Sequence, residues 1–265
     1  MSNIVQNELE KFGFAIIHGT IPGHCNVNSN DWINIDKLIE MVQRPGLQLC
    51  EIGTNSGHST CLLGIWARNL DGKVITMDPM AFPNDIAVEE CLRTNLIHFS
   101  LTRHVQFIKD YSYNVVDRFA DEFFDLIFID GDHAYEKVQR DIELYYPKLK
   151  TGGIMCGHDC EFLVNKDGIG NIHTIRNNDF QKPYRDGFRT MYGHETVITV
   201  ADNGAFNLKK ISNWPLRDII GLYWNKDLTT QPVIGVHPGT VIAVSERFGD
   251  TAQIYGDRIW WVKKS

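Results

Sequence analysis

The sequence lacks an excess of positive charge and a long apolar run. Its 265 residues carry 26 Lys and Arg against 33 Asp and Glu, which gives a formal net charge of −7. Proteins that bind nucleic acid usually present a basic face, so this balance argues against a nucleic-acid partner. No run approaches the ~20 apolar residues of a membrane helix, and residues 1–12 have no apolar core of the kind found in secretory signals. We therefore expect a cytoplasmic protein that binds neither nucleic acid nor membrane.

The six cysteines form no C-x-x-C pair. Cys50 and Cys156 fall within predicted core strands, where a reduced cysteine behaves as a small apolar residue. Cys156, His158 and Cys160 follow a C-x-H-x-C spacing, which matches no structural zinc pattern. The pattern does not favour zinc, and a reducing environment is the default expectation.

Apolar runs alternate with helix patterns along most of the chain. The predicted strands are 48–53, 73–78, 104–109, 124–130 and 154–158, and the predicted helices begin near residues 31, 57, 88, 135 and 237. Alternating βα units imply an α/β fold with a mostly parallel sheet and helices on both faces. Two final strands near 252–255 and 258–262 are joined by a short turn, so they must be antiparallel.

The chain is predicted to form a single domain over residues 1–265. Within it we distinguish an N-terminal helical segment at 1–45 and an insertion at 161–236, which contains predicted short strands at 196–200 and 204–208. Such an insertion is too long for an ordinary connection and usually carries function or a lid. The aromatic residues of the insertion either pack together as its own small core, or one or two of them stack on a substrate such as a sugar ring.

The most informative segment is residues 49–60, with sequence LCEIGTNSGHST, followed by residues 74–78, with sequence VITMD. An apolar run ends in Glu51 and a turn containing Gly53 and Gly57, and the second run ends in Asp78. This arrangement suits a nucleoside ligand across the carboxyl ends of two neighbouring parallel strands. The glycines allow close approach of the backbone, the helix start offers amides, and Asp78 can accept two hydrogen bonds from a ribose diol.

The glycine turn reads E-x-G-x-x-x-G. Asn55 stands where the dinucleotide-binding fingerprint needs its second glycine. This departure counts against a nicotinamide-dependent oxidoreductase, which is the first alternative function. The turn instead resembles motif I of class I S-adenosylmethionine (SAM)-dependent methyltransferases. That resemblance implies a Rossmann-like, doubly wound, seven-stranded sheet with one antiparallel edge strand.

Polar groups also follow predicted strands four and five, on the sheet edge that carries Glu51 and Asp78. They are Asp130, Asp132, His133, His158 and Asp159. A cluster of five titratable residues at a binding edge favours catalysis over turn-capping alone. A non-catalytic protein that binds a nucleoside or cofactor is the second alternative, although a pure binder has no need of a base.

Residues 124–138, with Gly152-Gly153 and Gly157-His158-Asp159, resemble a bacterial group of sugar O-methyltransferases that includes the macrocin and aminocoumarin enzymes. The segments at 237–239 and 259–262 are also similar to that group. The resemblance implies a SAM-dependent O-methyltransferase that acts on a hydroxyl of a small molecule, with a sugar or glycoside as the candidate acceptor.

The same resemblance implies which residues bind the cofactor. Glu51, the Gly53–Gly57 turn and Ser59 would hold the methionine end, and Asp78 would hold the ribose. The full implied set is Glu51, Gly53, Thr54, Asn55, Gly57, Ser59, Asp78, Asp110, Tyr111, Ser112 and Asp130, with residues 110–112 near the adenine.

The resemblance also implies Mg²⁺ bound by Asp130, His158 and Asp159. His158 departs from the acidic residue expected there, and imidazole suits softer metals than Mg²⁺. Three readings stay open: Mg²⁺ with fewer protein ligands, another divalent metal, or no metal with His158 as the base. Asp132 aligns with the general base of the sugar enzymes, and His133 is a competent alternative near neutral pH.

An edge strand that contains Trp260 and Trp261 needs covering. We therefore expect a homodimer.

Overall fold

The computed structural model describes residues 2–12, 29–81, 85–160, 163–164, 169–171, 188–189, 195–200, 206–209, 238–256 and 258–265. The predicted alternation of strands and helices is confirmed. The helices are α1 (Asn3–Phe12), α2 (Ser29–Glu40), α3 (His58–Asn69), α4 (Asp85–His98), α5 (Ser112–Val115), α6 (Tyr135–Tyr145) and α7 (Pro238–Phe248). The strands are β1 (Gln48–Ile52), β2 (Lys73–Met77), β3 (Val105–Ile108), β4 (Phe124–Ile129), β5 (Leu149–Gly157), β6 (Leu163–Val164), β7 (Ile169–Asn171), β8 (Phe188–Arg189), β9 (Glu195–Val200), β10 (Phe206–Lys209), β11 (Gln253–Tyr255) and β12 (Ile259–Lys263).

Seven strands form the main sheet in the order β11-β12-β5-β4-β1-β2-β3. β1 pairs in parallel with β2 and with β4, and β2 pairs in parallel with β3. The last two strands, β11 and β12, pair antiparallel as expected from their short turn. The predicted fold class is confirmed.

The middle of the sheet is apolar on both faces, as a parallel strand covered by helices should be. All six residues of β4 are buried. Asp125 is the polar exception, and its carboxylate accepts hydrogen bonds from Arg44 Nε at 2.7 Å, Gln48 N–H at 2.8 Å and Lys150 Nζ at 2.9 Å. These partners offset the cost of burying the charge.

Helix α3 is buried along nearly its whole length, from His58 to Ala67. It contacts β1 and β2 on the sheet side, and α1 and α2 pack against it as well. Asp36 on α2 fixes this packing, because it accepts hydrogen bonds from Trp66 Nε1 at 2.9 Å and from the Ser2 hydroxyl at 2.7 Å. The N-terminal helices therefore cover a helix that is apolar on several sides.

Strand β5 begins at Leu149, five residues before the predicted start at 154. Gly152 and Gly153, which precede the predicted strand, therefore lie within β5. Both glycines pair with the C-terminal segment, since Gly152 N–H donates to the Lys264 carbonyl at 2.8 Å and Lys264 N–H donates to the Gly153 carbonyl at 2.9 Å. Glycine is depleted in strand interiors, so this pairing leaves little trace in the sequence.

The described parts of the segment 161–236 form a second sheet, in the order β6-β7-β10-β9-β8, with antiparallel pairing throughout. The two predicted strands are confirmed as β9 and β10. β6, β7 and β8 were not predicted, because strands of two or three residues show no period-two alternation. Most of the remaining insertion, including Trp214 and Tyr223, lies outside the described residues.

The chain divides into two compact units. The first comprises Met1–Gly131, Asp141–Cys156 and Lys263–Ser265, and the second comprises Asp132–Arg140 and Gly157–Val262. The predicted cofactor residues belong to the first unit, whereas Asp132, His133, His158 and Asp159 belong to the second. Within the described ranges, no helix is both long and apolar enough to span a bilayer.

In the first unit, the turn after β1 lies against the end of β4. Gly53 N–H donates to the Met77 carbonyl at 2.9 Å, and Asp130 N–H donates to the Ile52 carbonyl at 2.7 Å. A Cβ on Gly53 would lie 2.0 Å from the Asp130 carbonyl oxygen, and the residue has φ +96°. Only glycine fits this position without displacing backbone.

The substitution Gly53→Ala is expected to destabilise the protein more than Gly152→Ala. Gly152 has a similar φ of +79°, but a Cβ added there would meet no atom within 4 Å. Its substitution therefore measures the left-handed conformation alone, about 1–2 kcal/mol. The clash at Gly53 should add about 1–3 kcal/mol. Urea unfolding of the two variants checks this. Equal free energies of unfolding would contradict the close approach.

Candidate active site

Glu51, at the end of β1, is fully buried. Its Oε2 accepts hydrogen bonds from the Thr60 hydroxyl at 2.5 Å and the Thr76 hydroxyl at 2.6 Å. Oε1 is also buried, and it accepts no hydrogen bond from the residues that the structure describes. The carboxyl group therefore keeps one oxygen for a further donor.

Burial raises the pKa of Glu51 from its ordinary value of 4.5 to about 7. The hydroxyls of Ser59, Thr60 and Thr76 act in the opposite direction, and the nearby Asp130 charge adds to the rise. Removing a carboxylate from water disfavours its ionised form, and neutral hydroxyl donors compensate only in part. Glu51 thus changes its charge near neutral pH.

The turn between β1 and α3 is tied to the end of β2 through Asp78. One carboxylate oxygen of Asp78 accepts the Asn55 N–H at 3.0 Å, and the other accepts the Met80 N–H at 2.9 Å. The Thr54 and Thr76 hydroxyls lie 2.6 Å apart and link the same two segments. Asp78 is half-buried, so it both fixes the turn and faces the sheet edge where a ligand is predicted.

Gly57 ends this turn and precedes α3, with φ +84° and ψ 26°. A Cβ there would lie 2.5 Å from the Leu92 Cδ1 atom. The sequence interpretation assigned Gly53 and Gly57 to close approach by a ligand. In the structure each glycine also has a packing reason that is independent of any ligand.

The segment after β3, predicted to lie near the adenine, makes local contacts. Asp110 Oδ1 accepts hydrogen bonds from Tyr111 N–H at 2.8 Å and Asn114 Nδ2 at 2.7 Å, and these bonds lower the pKa of Asp110. The Tyr111 ring is 44% exposed and stacks on Tyr113 at 5.2 Å. Its face is thus partly available to a planar ligand.

Ser112, the last residue predicted near the adenine, contacts helix α6. Its hydroxyl is buried and donates to Asp141 Oδ1 at 2.5 Å. The Tyr145 hydroxyl donates to the Ser112 carbonyl at 2.9 Å. Both of these partners come from helix α6, so Ser112 anchors the loop after β3 to the fold.

Asp130 and Asp132 follow β4 and differ in their surroundings. Asp130 is half-buried, whereas Asp132 is exposed. Asp132 Oδ1 accepts the Ala134 N–H at 2.9 Å, immediately before α6. A bond from an Asp side chain to the N–H two residues on forms an Asx-turn, so Asp132 has a structural role besides the predicted catalytic one.

The second unit contains a buried carboxylate surrounded by basic groups. Asp159 follows β5, and only 2% of its side chain is exposed. Its Oδ2 lies 3.1 Å from His133 Nε2, and its Oδ1 lies 3.1 Å from His158 Nδ1 and 3.5 Å from Arg258 Nη1. Asp159 also has φ +56°, a conformation that Asp and Asn tolerate better than other side chains.

The two histidines beside Asp159 are not equally accessible. The His158 side chain is 0% exposed, whereas that of His133 is 35% exposed. A ring that is closed off from solvent on all sides has no face left for an acceptor molecule. His133 is therefore the better placed of the two to exchange a proton with a bound molecule.

The sequence interpretation did not include Arg258. This residue precedes β12, and its carbonyl accepts the Cys160 N–H at 3.1 Å. No motif marks an arginine about a hundred residues from its partner carboxylate, and its position before a strand is the ordinary place for a surface residue. Only the pairing of these segments brings it to Asp159.

Residues 50–160 match the family model of a methyltransferase domain. An uncharacterised protein of Acanthamoeba polyphaga mimivirus is 33% identical over 132 residues, which cover 47% of this chain and 57% of that protein. A candidate O-methyltransferase from Klebsiella pneumoniae is 22% identical, with a TM-score of 0.44, over 60% of this chain and 66% of that one. The O-methyltransferase from Bacillus cereus in complex with S-adenosylhomocysteine (SAH) is 22% identical, with a TM-score of 0.43, over 60% of this chain and 67% of that one.

The similarity to a methyltransferase domain is thus found over residues 50–160, and the chain spans little more than half the length of the curated relative that it resembles. The matched segment includes Glu51, Asp78, Asp130 and Asp159, but it ends before Arg258.

The variant Glu51→Gln is expected to lose a pH-dependent part of the stability. Because the pKa of Glu51 is raised to about 7 in the folded protein, the folded state retains a proton that the unfolded chain has released above about pH 4.5. This stabilisation is full below pH 4.5 and is lost as the pH rises through about 7. Between pH 5 and 8 the unmutated protein should lose about 2 kcal/mol more than Glu51→Gln.

Urea unfolding at the two pH values measures this difference. Glu40→Gln, at the exposed end of α2, is the matched control and should keep the full pH dependence. If Glu51→Gln keeps it too, Glu51 is not the group that titrates.

Proposed function

We propose that the protein is a SAM-dependent O-methyltransferase that acts on a hydroxyl of a small molecule. The observation that carries this proposal is the pair of acids at the ends of two neighbouring parallel strands. Glu51 is the penultimate residue of β1 and Asp78 follows β2, and the turn between β1 and α3 is bonded to Asp78. These residues lie in the segment that matches a methyltransferase domain.

The residues of the first unit fit SAM. The unused Oε1 of Glu51 is a buried acceptor, and a buried acceptor without a donor costs free energy that an ammonium group of the cofactor would recover. Asp78 has the two oxygens that a ribose diol requires, and the exposed ring of Tyr111 offers a face for the adenine. When bound, SAM supplies a methyl group activated by a sulfonium.

The acceptor hydroxyl must lose its proton as its oxygen takes the methyl group. We assign this proton to His133, because its imidazole is partly exposed and its Nε2 faces Asp159. With Nε2–H directed at the carboxylate, Nδ1 is the nitrogen that accepts a proton. Asp159 orients the ring and balances the charge of the imidazolium that forms. Asp132, which is also exposed, is the second candidate base.

The predicted metal set of Asp130, His158 and Asp159 does not fit Mg²⁺. The His158 nitrogen is a poor ligand for this ion, and both oxygens of Asp159 already face nitrogen groups. A softer divalent metal is the alternative that experiment must exclude.

The acceptor class is proposed from the resemblance to sugar O-methyltransferases, and we propose a sugar or glycoside. The insertion at 161–236 would complete the acceptor pocket. The net charge of −7 supports an acceptor other than nucleic acid. We also propose a homodimer and a cytoplasmic location. The buried free thiols of Cys50 and Cys156, which fill core positions, support the cytoplasmic location.

The variant Asp78→Asn should bind SAH at least about tenfold more weakly than the unmutated protein, because the amide offers one acceptor oxygen where the carboxylate offers two. Calorimetric titration of the full chain with SAH, and with NAD in parallel, measures this. Asp71→Asn is the matched control, because Asp71 is an exposed residue in the turn before β2. Binding of NAD without SAH would favour an oxidoreductase, and binding of neither would favour a protein that acts through partners.

The variant His133→Gln should reduce methyl transfer by a factor of about 10²–10⁴ while SAH affinity stays unchanged, because the proton acceptor is lost and the cofactor contacts remain. The assay follows labelled methyl transfer from SAM to a panel of sugars, glycosides and other hydroxylated molecules. His98→Gln, at the exposed end of α4, is the control. Loss of activity in Asp132→Asn with retention in His133→Gln would make Asp132 the base.

A further inference from the structure

We infer that Arg258 is the resident cation of the Asp159 site, in the role for which the sequence resemblance implied a divalent metal. Under this inference the site binds no divalent metal in its working state. The charge pairing stands on contacts within the second unit, and its catalytic meaning rests on the proposed function.

Burial makes a positive partner necessary at Asp159. Its side chain is 2% exposed, and an ionised carboxylate so far from water requires a paired charge and hydrogen bonds. Arg258 Nη1 lies 3.5 Å from Oδ1, and the Arg258 side chain is itself only 23% exposed. The attraction between the carboxylate and the guanidinium therefore offsets the desolvation penalty of burying the two charges.

The backbone holds Arg258 in this position. The Cys160 N–H donates to the Arg258 carbonyl at 3.1 Å, one residue beyond Asp159. The carboxylate is fixed by the left-handed backbone of Asp159 at φ +56°. This main-chain bond places Arg258 beside the segment that carries Asp159.

The contacts of Asp159 leave little room for a metal ion. Oδ2 faces His133 Nε2, and Oδ1 faces His158 Nδ1, each at 3.1 Å. A divalent ion on Oδ1 would stand next to the guanidinium, and two positive charges at that separation repel each other strongly away from water. Removing the guanidinium should therefore open Asp159 to a cation.

Arg258 acts through Asp159, so it is a positioning residue. It balances the carboxylate that orients the His133 ring, and it leaves the imidazole to take the acceptor's proton. The guanidinium of Arg258 remains charged at every physiological pH. The charge of the Asp159 carboxylate is therefore balanced without a bound metal ion.

The test is a titration of the metal-stripped full chain with Mn²⁺, followed by electron paramagnetic resonance, together with calorimetric titration with SAH. We expect weak, millimolar binding to the unmutated protein and to Arg103→Met, an exposed arginine between α4 and β3. Arg258→Met should bind Mn²⁺ at least about tenfold more tightly, since one neighbouring positive charge is gone. The double variant with Asp159→Asn should lose that gain, and Arg258→Lys should resemble the unmutated protein.

Micromolar Mn²⁺ binding to the unmutated protein that is lost in Asp159→Asn would overturn the inference. So would a folded Arg258→Met protein with no gain in Mn²⁺ affinity. If Arg258→Met does not fold, the titrations of the unmutated protein and of Arg258→Lys still decide, because tight Mn²⁺ binding to either contradicts a resident cation. SAH binding is measured on the same samples. If the unmutated protein does not bind SAH, this result counts against the methyltransferase proposal. The Mn²⁺ titration tests the role of Arg258 independently of that outcome.

Discussion

The close approach of the Gly53 backbone to Asp130 is the constraint on which the first unit depends. The end of β1, the end of β4 and the end of β2 meet there through two short main-chain bonds. A side chain at Gly53 would overlap the Asp130 carbonyl, so the strands would have to part. Glu51, Asp78 and Asp130 owe their common edge to this contact, because each lies at or directly after one of these strand ends.

The buried acids of the protein differ in how their negative charge is compensated. Glu51 lies among neutral hydroxyls, which leave its charge costly. Asp125 meets Arg44 and Lys150, and Asp159 meets Arg258, so these two carboxylates are compensated by full charges. Glu51 also has a buried Oε1 that accepts no hydrogen bond from the described residues, so it stands to gain from a positively charged ligand.

Apolar runs that end in polar residues predicted β1, β2, β4 and the class of the sheet, because a buried parallel strand is recorded in consecutive residues. Three strands of the five-stranded sheet were missed, since strands such as β6 and β8 are too short to show a period-two alternation. Local spacing also placed Asp132 and His133 together, but it could not rank them. That ranking depends on Asp159, and the role of Asp159 depends on Arg258, which reaches it through tertiary pairing. Ser112 likewise turned out to anchor a loop through Asp141, a contact between residues 29 positions apart.

The left-handed backbone at Asp159 imposes two separate requirements on the side chain: it must tolerate a positive φ, and it must carry a negative charge. At most sites the substitution that preserves charge is the mildest, yet here Glu would keep the charge and strain a backbone that longer side chains avoid. Asn would suit the backbone and abolish the charge. Aspartate is therefore the one acidic residue that suits both the backbone conformation and the charge at this position. Substitution of Asp159 is restricted by each of these two requirements independently.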